Sequence, residues 1–139
     1  MAKGYSQVQG LDYNDTIAPL ARMDSIRLVL SIVASKIWEA HHMDVKSAFL
    51  HGDLEEEIYM KQPEGLIDDP SLVCRLRKYL YGLKQAPRAW YSNMDSFLVS
   101  QKFEICKSHC NVYMQKKEVL LLFIVIYVDD LLITRRSVA

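Results

Sequence analysis

Two adjacent aspartates, Asp129 and Asp130, lie in a long apolar run that extends from residue 119 to residue 133. Ionised carboxylates lose hydration on burial, so such a pair needs a cation or hydrogen-bond donors as compensation. The run is rich in Val, Ile, Leu and Phe and is too short to cross a bilayer, which takes about 20 apolar residues. We therefore expect a strand-turn-strand hairpin with both carboxylates at its tip, where their oxygens could bind a metal ion.

A third carboxylate, Asp44, has a similar setting, because it lies near the end of a predicted strand over residues 41–46. Three carboxylates from two strand ends can hold a pair of divalent cations. The alternative for Asp129 and Asp130 is an ordinary solvated turn, since Asp side chains support turn conformations. The presence of Asp44 favours a metal site over a solvated turn.

The remaining elements follow from periodicity and capping. A helix begins at Asp24 or Ser25 and runs to about Trp38, and its narrow polar stripe predicts that it is mostly buried. A second helix begins at Pro87, and its predicted core face consists of Trp90, Met94, Phe97 and Leu98. Extended segments are predicted at residues 57–60, 73–78, 111–114 and 119–126, with a polar turn over residues 115–118 between the last two.

Charge is balanced overall but unevenly distributed. The chain has 139 residues, enough for one domain at most, with 17 basic and 17 acidic side chains. Residues 71–94 contain no acid, and their cations alternate with aromatic rings, a pattern typical of a nucleic-acid or nucleotide surface. Lys84 and Arg88, at the start of the second helix, would suit a phosphate. A solvated basic face with core aromatics is the alternative, and the acidic residues 53–57 are interpreted as a solvated loop.

A zinc site is a further alternative. Cys106, His109 and Cys110 lie close together, and His41 or His42 could complete a zinc set, but no pair at zinc-finger spacing follows. No signal peptide or membrane span is recognisable, so we expect an intracellular, cytoplasmic protein with reduced cysteines.

Four motifs occur in order and carry a family resemblance. They are MDVKSAFLHG at residues 43–52, EIYM with QPEG at 57–65, LYGLKQAPRAWY at 80–91 and YVDD at 127–130. Together they closely resemble the reverse transcriptase of copia-type LTR retrotransposon polyproteins. The segments AKGYSQ at residues 2–7 and APLAR at 18–22 match that family as well, so the resemblance covers nearly the whole chain.

The resemblance implies an α+β fold, namely a partial polymerase palm with part of the fingers, in which an antiparallel sheet with a catalytic hairpin packs on helices. It implies an RNA-directed DNA polymerase that transfers deoxynucleotides to a primer 3′-hydroxyl with two Mg²⁺ ions, or with Mn²⁺ in their place. Asp44, Asp129 and Asp130 would be the catalytic metal ligands, with the backbone carbonyl of Val45 as a further ligand.

The same resemblance implies residues that contact substrates. Those expected to bind the nucleotide are Phe49, Tyr81, Gly82 and Lys84, and Phe49 would exclude a ribose 2′-hydroxyl unless it is only a core residue. Those expected to contact nucleic acid are Arg75, Arg77, Lys78, Arg88, Tyr127 and Val128. The implied partners are an RNA or DNA template with its primer, deoxynucleotides, and the thumb, ribonuclease H and integrase regions of a polyprotein assembled in particles.

We expect residues 1–139 to be a single incomplete domain of such a polyprotein, because the basic strand that precedes this region in the family is absent from the sequence. Two other functions stay open. One is a non-catalytic remnant that at most binds nucleic acid, and the other is a different two-metal enzyme such as a nucleotidyl cyclase. The cyclase hypothesis leaves the segment from Tyr81 to Trp90 unexplained.

Overall fold

The computed structural model describes residues 2–67, 69–118 and 120–136. These residues form an α+β structure with antiparallel sheets, as the sequence predicts. The helices and strands are α1 (Met23–Lys36), β1 (Glu39–Asp44), β2 (Tyr59–Lys61), β3 (Val73–Arg75), α2 (Ala86–Ser100), β4 (Glu104–Cys106), β5 (His109–Lys117), β6 (Leu120–Tyr127) and β7 (Asp130–Arg135). No helix in the described part of the chain is long and apolar enough to cross a membrane.

The chain divides into two compact units. The first unit consists of the chain up to Ile17 together with Ser47–Trp90, and it contains the sheet β2-β3. The second unit consists of Ala18–Lys46 and the chain from Tyr91 onward. The candidate carboxylates therefore belong to the second unit, and the predicted nucleotide-contacting residues belong to the first.

A five-stranded sheet in the order β1-β7-β6-β5-β4 forms the centre of the second unit. On one face, Val29 of α1 packs with Val125 of β6, and on the other, Leu98 of α2 packs with Ile126. Successive residues of a strand face opposite sides of a sheet, so a strand covered on both sides needs an unbroken apolar sequence. This explains the apolar run of β6, which the sequence predicted to be a buried strand.

The prediction that α1 is mostly buried is wrong. Only Ser25 and Val29 of this helix are buried, while Leu28 and Leu30 are 50% and 43% exposed. The helix contacts the sheet along one stripe, and its apolar composition exceeds what that stripe can cover. Phe97 of α2, which was predicted in the core, is likewise 57% exposed.

Strand bounds differ from the predictions where pairing overrides side-chain polarity. Residues 115–117, predicted as a turn, belong to β5, because backbone pairing continues to Lys117 opposite Leu120. β3 ends at Arg75 rather than near residue 78. Residue 119, the predicted start of the following strand, lies outside the described residues.

Candidate active site

A tight hairpin presents the two adjacent aspartates. β6 ends at Tyr127, which pairs with Asp130 at the start of β7, so Val128 and Asp129 form a two-residue turn. Val128 has φ 57°, a left-handed conformation that is strained for a β-branched residue. Both aspartates are half-buried at this tip. The strand-turn-strand arrangement predicted from the apolar run is confirmed.

β1 brings the third carboxylate to the same end of the sheet. In the antiparallel register of β1 and β7, Asp44 lies directly opposite Asp130. The backbone N–H of Val45 donates to the carbonyl oxygen of Asp129 at 2.9 Å. The four predicted metal ligands thus lie on neighbouring backbone segments, although 85 positions separate Asp44 from Asp129 in the sequence.

Two carboxylates, those of Asp44 and Asp130, face each other at this end of the sheet. Like charges directly opposite each other on paired strands destabilise a sheet. His42 offsets part of this cost, because its Nε2 donates to Asp130 Oδ1 at 2.9 Å. The His42 and Asp130 side chains are 71% and 41% exposed, so solvent screens the contact.

The donor set suits a hard divalent cation. Mg²⁺ prefers carboxylate and carbonyl oxygens, and three carboxylates with the Val45 carbonyl provide them. Within the described residues, no three His, Cys, Asp or Glu side chains already converge closely enough to hold a metal ion.

Two of the residues considered for zinc, Cys106 and His109, lie in the packing of the second unit, whereas Cys110 is exposed. Ser25 Oγ and His109 Nδ1 form a hydrogen bond of 2.7 Å, which explains why Ser25 is buried in α1. Cys106 packs at the edge of the apolar cluster that contains Val29. Cys106 and His109 therefore contribute to packing of the second unit.

In the first unit, the predicted nucleotide-contacting residues lie on two segments that meet. Phe49 is buried at 7% exposure, and its ring centroid lies 4.4 Å from that of Tyr81. Gly82 has φ 100°, which a residue with a side chain rarely adopts. Lys84 Nζ donates to the carbonyl oxygen of Gln7 at 3.2 Å.

The predicted nucleic-acid-contacting cations are largely paired with acids of the same unit. The ion pairs are Arg75 with Glu57, Lys78 with Asp53, and Arg88 with Asp15. Residues 53–57 form a largely exposed loop, as interpreted from the sequence, and Asp53 and Glu57 pair with cations at its surface. Arg77 contributes its carbonyl oxygen to a backbone hydrogen bond from Leu54. Near the start of α2, the anion beside Arg88 is the Asp15 carboxylate, at 2.9 Å.

Two buried tyrosines have strongly perturbed acidity. In the first unit, the Tyr79 hydroxyl donates to Glu56 Oε2 at 3.2 Å, and burial followed by the Glu56 charge raises the pKa of Tyr79 to about 12. In the second unit, burial above all raises the pKa of Tyr113, whose hydroxyl donates to Asp95 Oδ1 at 2.7 Å. Both side chains are therefore neutral hydrogen-bond donors at physiological pH.

Sequence reasoning missed several of the residues that shape these sites. Asn111 is 1% exposed, and its Nδ2 donates to the carbonyl oxygens of Pro19 and Ile126, the latter just before the turn of the hairpin. Gln7 and Gln85 contact each other in the first unit across 78 positions. Gln7 and Gln85 lie in two of the quoted motifs, but the motifs did not indicate that these two side chains meet, and Asn111 lies in none of them.

Comparison with known proteins identifies the family. The whole chain, residues 1–139, matches the family described as reverse transcriptase (RNA-dependent DNA polymerase). The chain belongs to this family, which confirms the resemblance found in the sequence motifs. No solved structure matches it significantly.

The similar proteins are transposon polyproteins. The chain is 48% identical over 99% of its length to the retrovirus-related Pol polyprotein from transposon TNT 1-94 of Nicotiana tabacum. It is 43% identical over 96% of its length to the corresponding polyprotein from transposon RE2 of Arabidopsis thaliana. A putative Ty5-1 transposon protein of Saccharomyces cerevisiae is 36% identical over 68% of the chain. The chain spans about 10% and 9% of the two plant polyproteins and 32% of the yeast protein.

Proposed function

We propose that this chain carries the metal-binding core of an RNA-directed DNA polymerase encoded by a retrotransposon. The observation that supports this most is the register of β1 and β7, with Asp44 opposite Asp130 beside the Asp129 turn, in a member of the reverse transcriptase family. The second unit would be the core of the palm, and the first unit would contain part of the fingers. The surrounding polyprotein would supply the thumb, ribonuclease H and integrase regions.

The carboxylates would act as ligands and not as nucleophiles. Two bound Mg²⁺ ions would supply activation of the primer 3′-hydroxyl and neutralisation of charge on the transferred phosphate. Asp44, Asp129 and the Val45 carbonyl would hold the ions. Asp130 would complete the set on the primer side, and Tyr127 and Val128 would contact the primer terminus.

Substrate recognition would depend on the first unit. Phe49 would lie under the sugar of the incoming deoxynucleotide and exclude a 2′-hydroxyl, supported by the Tyr81 ring 4.4 Å away. Gly82 would allow close approach of the backbone, and Lys84 would attract the triphosphate. Basic side chains along the same unit would neutralise phosphates of the RNA or DNA template and its primer, namely Arg75, Arg77, Lys78 and Arg88.

A chimaera tests this function in a suitable context. This chain replaces the matching segment of the tobacco transposon polyprotein, and the product extends oligo(dT) on poly(rA) with thymidine triphosphate and Mg²⁺, beside the unaltered polyprotein. We expect Asp129→Asn to reduce extension by about 100-fold or more, since metal ligands contribute several kcal/mol to the transition state. Asp24→Asn, a change at an exposed aspartate of α1, should leave extension unchanged.

Three outcomes would contradict the proposal. The first is equal extension by the chimaera and its Asp129→Asn variant. The second is template binding without extension by a chimaera whose parent is active, which would indicate a remnant. The third is release of pyrophosphate without any template, which would indicate an enzyme of the cyclase class.

A further inference from the structure

The N-terminal segment, residues 2–17, lies along the predicted nucleotide loop, residues 81–88, within the first unit. At its beginning, the Ala2 N–H donates to the Tyr81 carbonyl oxygen at 2.8 Å. Gly4 is buried, and a Cβ on it would lie 1.8 Å from the carbonyl oxygen of Gly82. The two backbones are therefore packed so closely that no side chain fits between them.

Gln7 makes the central contacts of this segment. Its Oε1 accepts from the Lys84 backbone N–H at 2.9 Å, and its Nε2 donates to Gln85 Oε1 at 3.1 Å. Gln85 is 3% exposed, and its own Nε2 donates to the Asp12 carbonyl oxygen at 3.2 Å. Since buried amides require partners, these bonds fix the segment and the loop to each other.

The same segment holds the two cations of the loop. Lys84 Nζ donates to the Gln7 carbonyl oxygen at 3.2 Å and to the Tyr13 hydroxyl at 3.4 Å, and it lies 5.2 Å from the centre of the Tyr13 ring. An ammonium group has three donors, so one N–H remains for an anionic ligand. Arg88 Nη1 donates to the Ile17 carbonyl oxygen at 2.9 Å and pairs with Asp15 at the same distance.

We propose that residues 2–17 are a positioning element for nucleotide binding. The segment fixes the loop backbone and the Lys84 ammonium before the ligand arrives. The free energy of binding therefore does not include the entropy loss of ordering them. Gln7 and Gln85 then determine affinity for a nucleoside triphosphate without touching it. This inference rests on the proposed function of the loop, and it adds residues that the metal site does not involve.

Hydrogen exchange of this chain tests the positioning directly and does not depend on catalysis. Gln7→Ala should speed exchange at amides of residues 81–88 by roughly three- to tenfold, the effect of losing one neutral hydrogen bond, while amides of β5 and β6 in the second unit stay unchanged. Gln9→Ala is the matched control, because Gln9 has the same side chain, is exposed and lies two positions away. Equal exchange of residues 81–88 in the two variants would overturn the proposal.

Binding of Mg²⁺–thymidine triphosphate to the same proteins separates positioning from packing. We expect Gln7→Ala to weaken binding by roughly three- to tenfold, and Gln9→Ala to bind like wild type. Faster exchange with unchanged affinity would show that the segment only packs on the loop, which contradicts the inference. If the wild type binds no triphosphate, the proposed function of the loop is wrong, and so is the predicted effect on affinity. The hydrogen-exchange result still decides whether the segment positions the loop.

Discussion

Neutralising Asp44 should stabilise the fold, because it removes the repulsion between the Asp44 and Asp130 carboxylates. Asp44 lies directly opposite Asp130, and the Cβ atoms of directly opposite residues on antiparallel strands are about 5 Å apart. Two unit charges at about 5 Å in water repel each other by about 0.8 kcal/mol. The contact from His42 to Asp130 offsets part of this repulsion. We therefore expect Asp44→Asn to raise the free energy of unfolding by about 0.5 kcal/mol in metal-free buffer.

Urea denaturation at two salt concentrations measures this effect. The gain should nearly vanish in 1 M salt, where the screening length is about 3 Å. In about 10 mM Mg²⁺ the order should reverse, because ion binding stabilises the wild type more than the variant. The control, Asp24→Asn, should destabilise, since Asp24 lies in the first turn of α1 and pairs with Arg27. Destabilisation by Asp44→Asn in metal-free buffer, or a gain independent of salt, would refute the reasoning.

Three further changes have defined outcomes. Ile37 follows the last residue of α1 with a left-handed φ of 54° and is 87% exposed, so Ile37→Gly should raise the free energy of unfolding in urea by about 1 kcal/mol, and Ile37→Ala should not. A lower free energy of unfolding with glycine would contradict this. Because the pKa of Tyr79 is raised to about 12, its contribution to the free energy of unfolding is intact below pH 10 and declines between pH 10 and 12. Tyr79→Phe should therefore reduce the alkaline decline of the unfolding free energy, and an identical decline would contradict it. Phe49→Val in the chimaera should admit ribonucleotides and lower stability by roughly 1–3 kcal/mol. Unchanged discrimination between deoxynucleotides and ribonucleotides would show that Phe49 does not exclude the 2′-hydroxyl.

Local patterns predicted much of the fold correctly. The hairpin at Val128 and Asp129 followed from carboxylates within an apolar run, and both helices began within two residues of their predicted starts. These features depend on residues close together in the sequence. The exposed side of α1 could not be predicted in this way, because an apolar helix is buried only where another element covers it.

The arrangement of the site was only partly predictable. Sequence motifs identified Asp44 and Asp130, but their direct opposition depends on which strands pair and in what register. The contacts of Gln7 with Lys84 and Gln85 join two quoted motifs across nearly eighty positions, and neither motif indicates that the two segments meet. The pairing of Arg88 with Asp15 was missed for the same reason, since the sequence indicated only that Lys84 and Arg88 would suit a phosphate.

In the proposed function, strand β1 and the β6–β7 hairpin share a divalent metal ion. Fe²⁺ bound at a magnesium site generates hydroxyl radicals with peroxide and ascorbate, and these cleave the backbone next to the ion. We predict cleavage of this chain near Asp44 and near Asp129 together, suppression of both cuts by excess Mg²⁺, and loss of both in Asp44→Asn. Cleavage confined to the acidic residues 53–57, or cuts at the hairpin that persist in Asp44→Asn, would contradict a shared site.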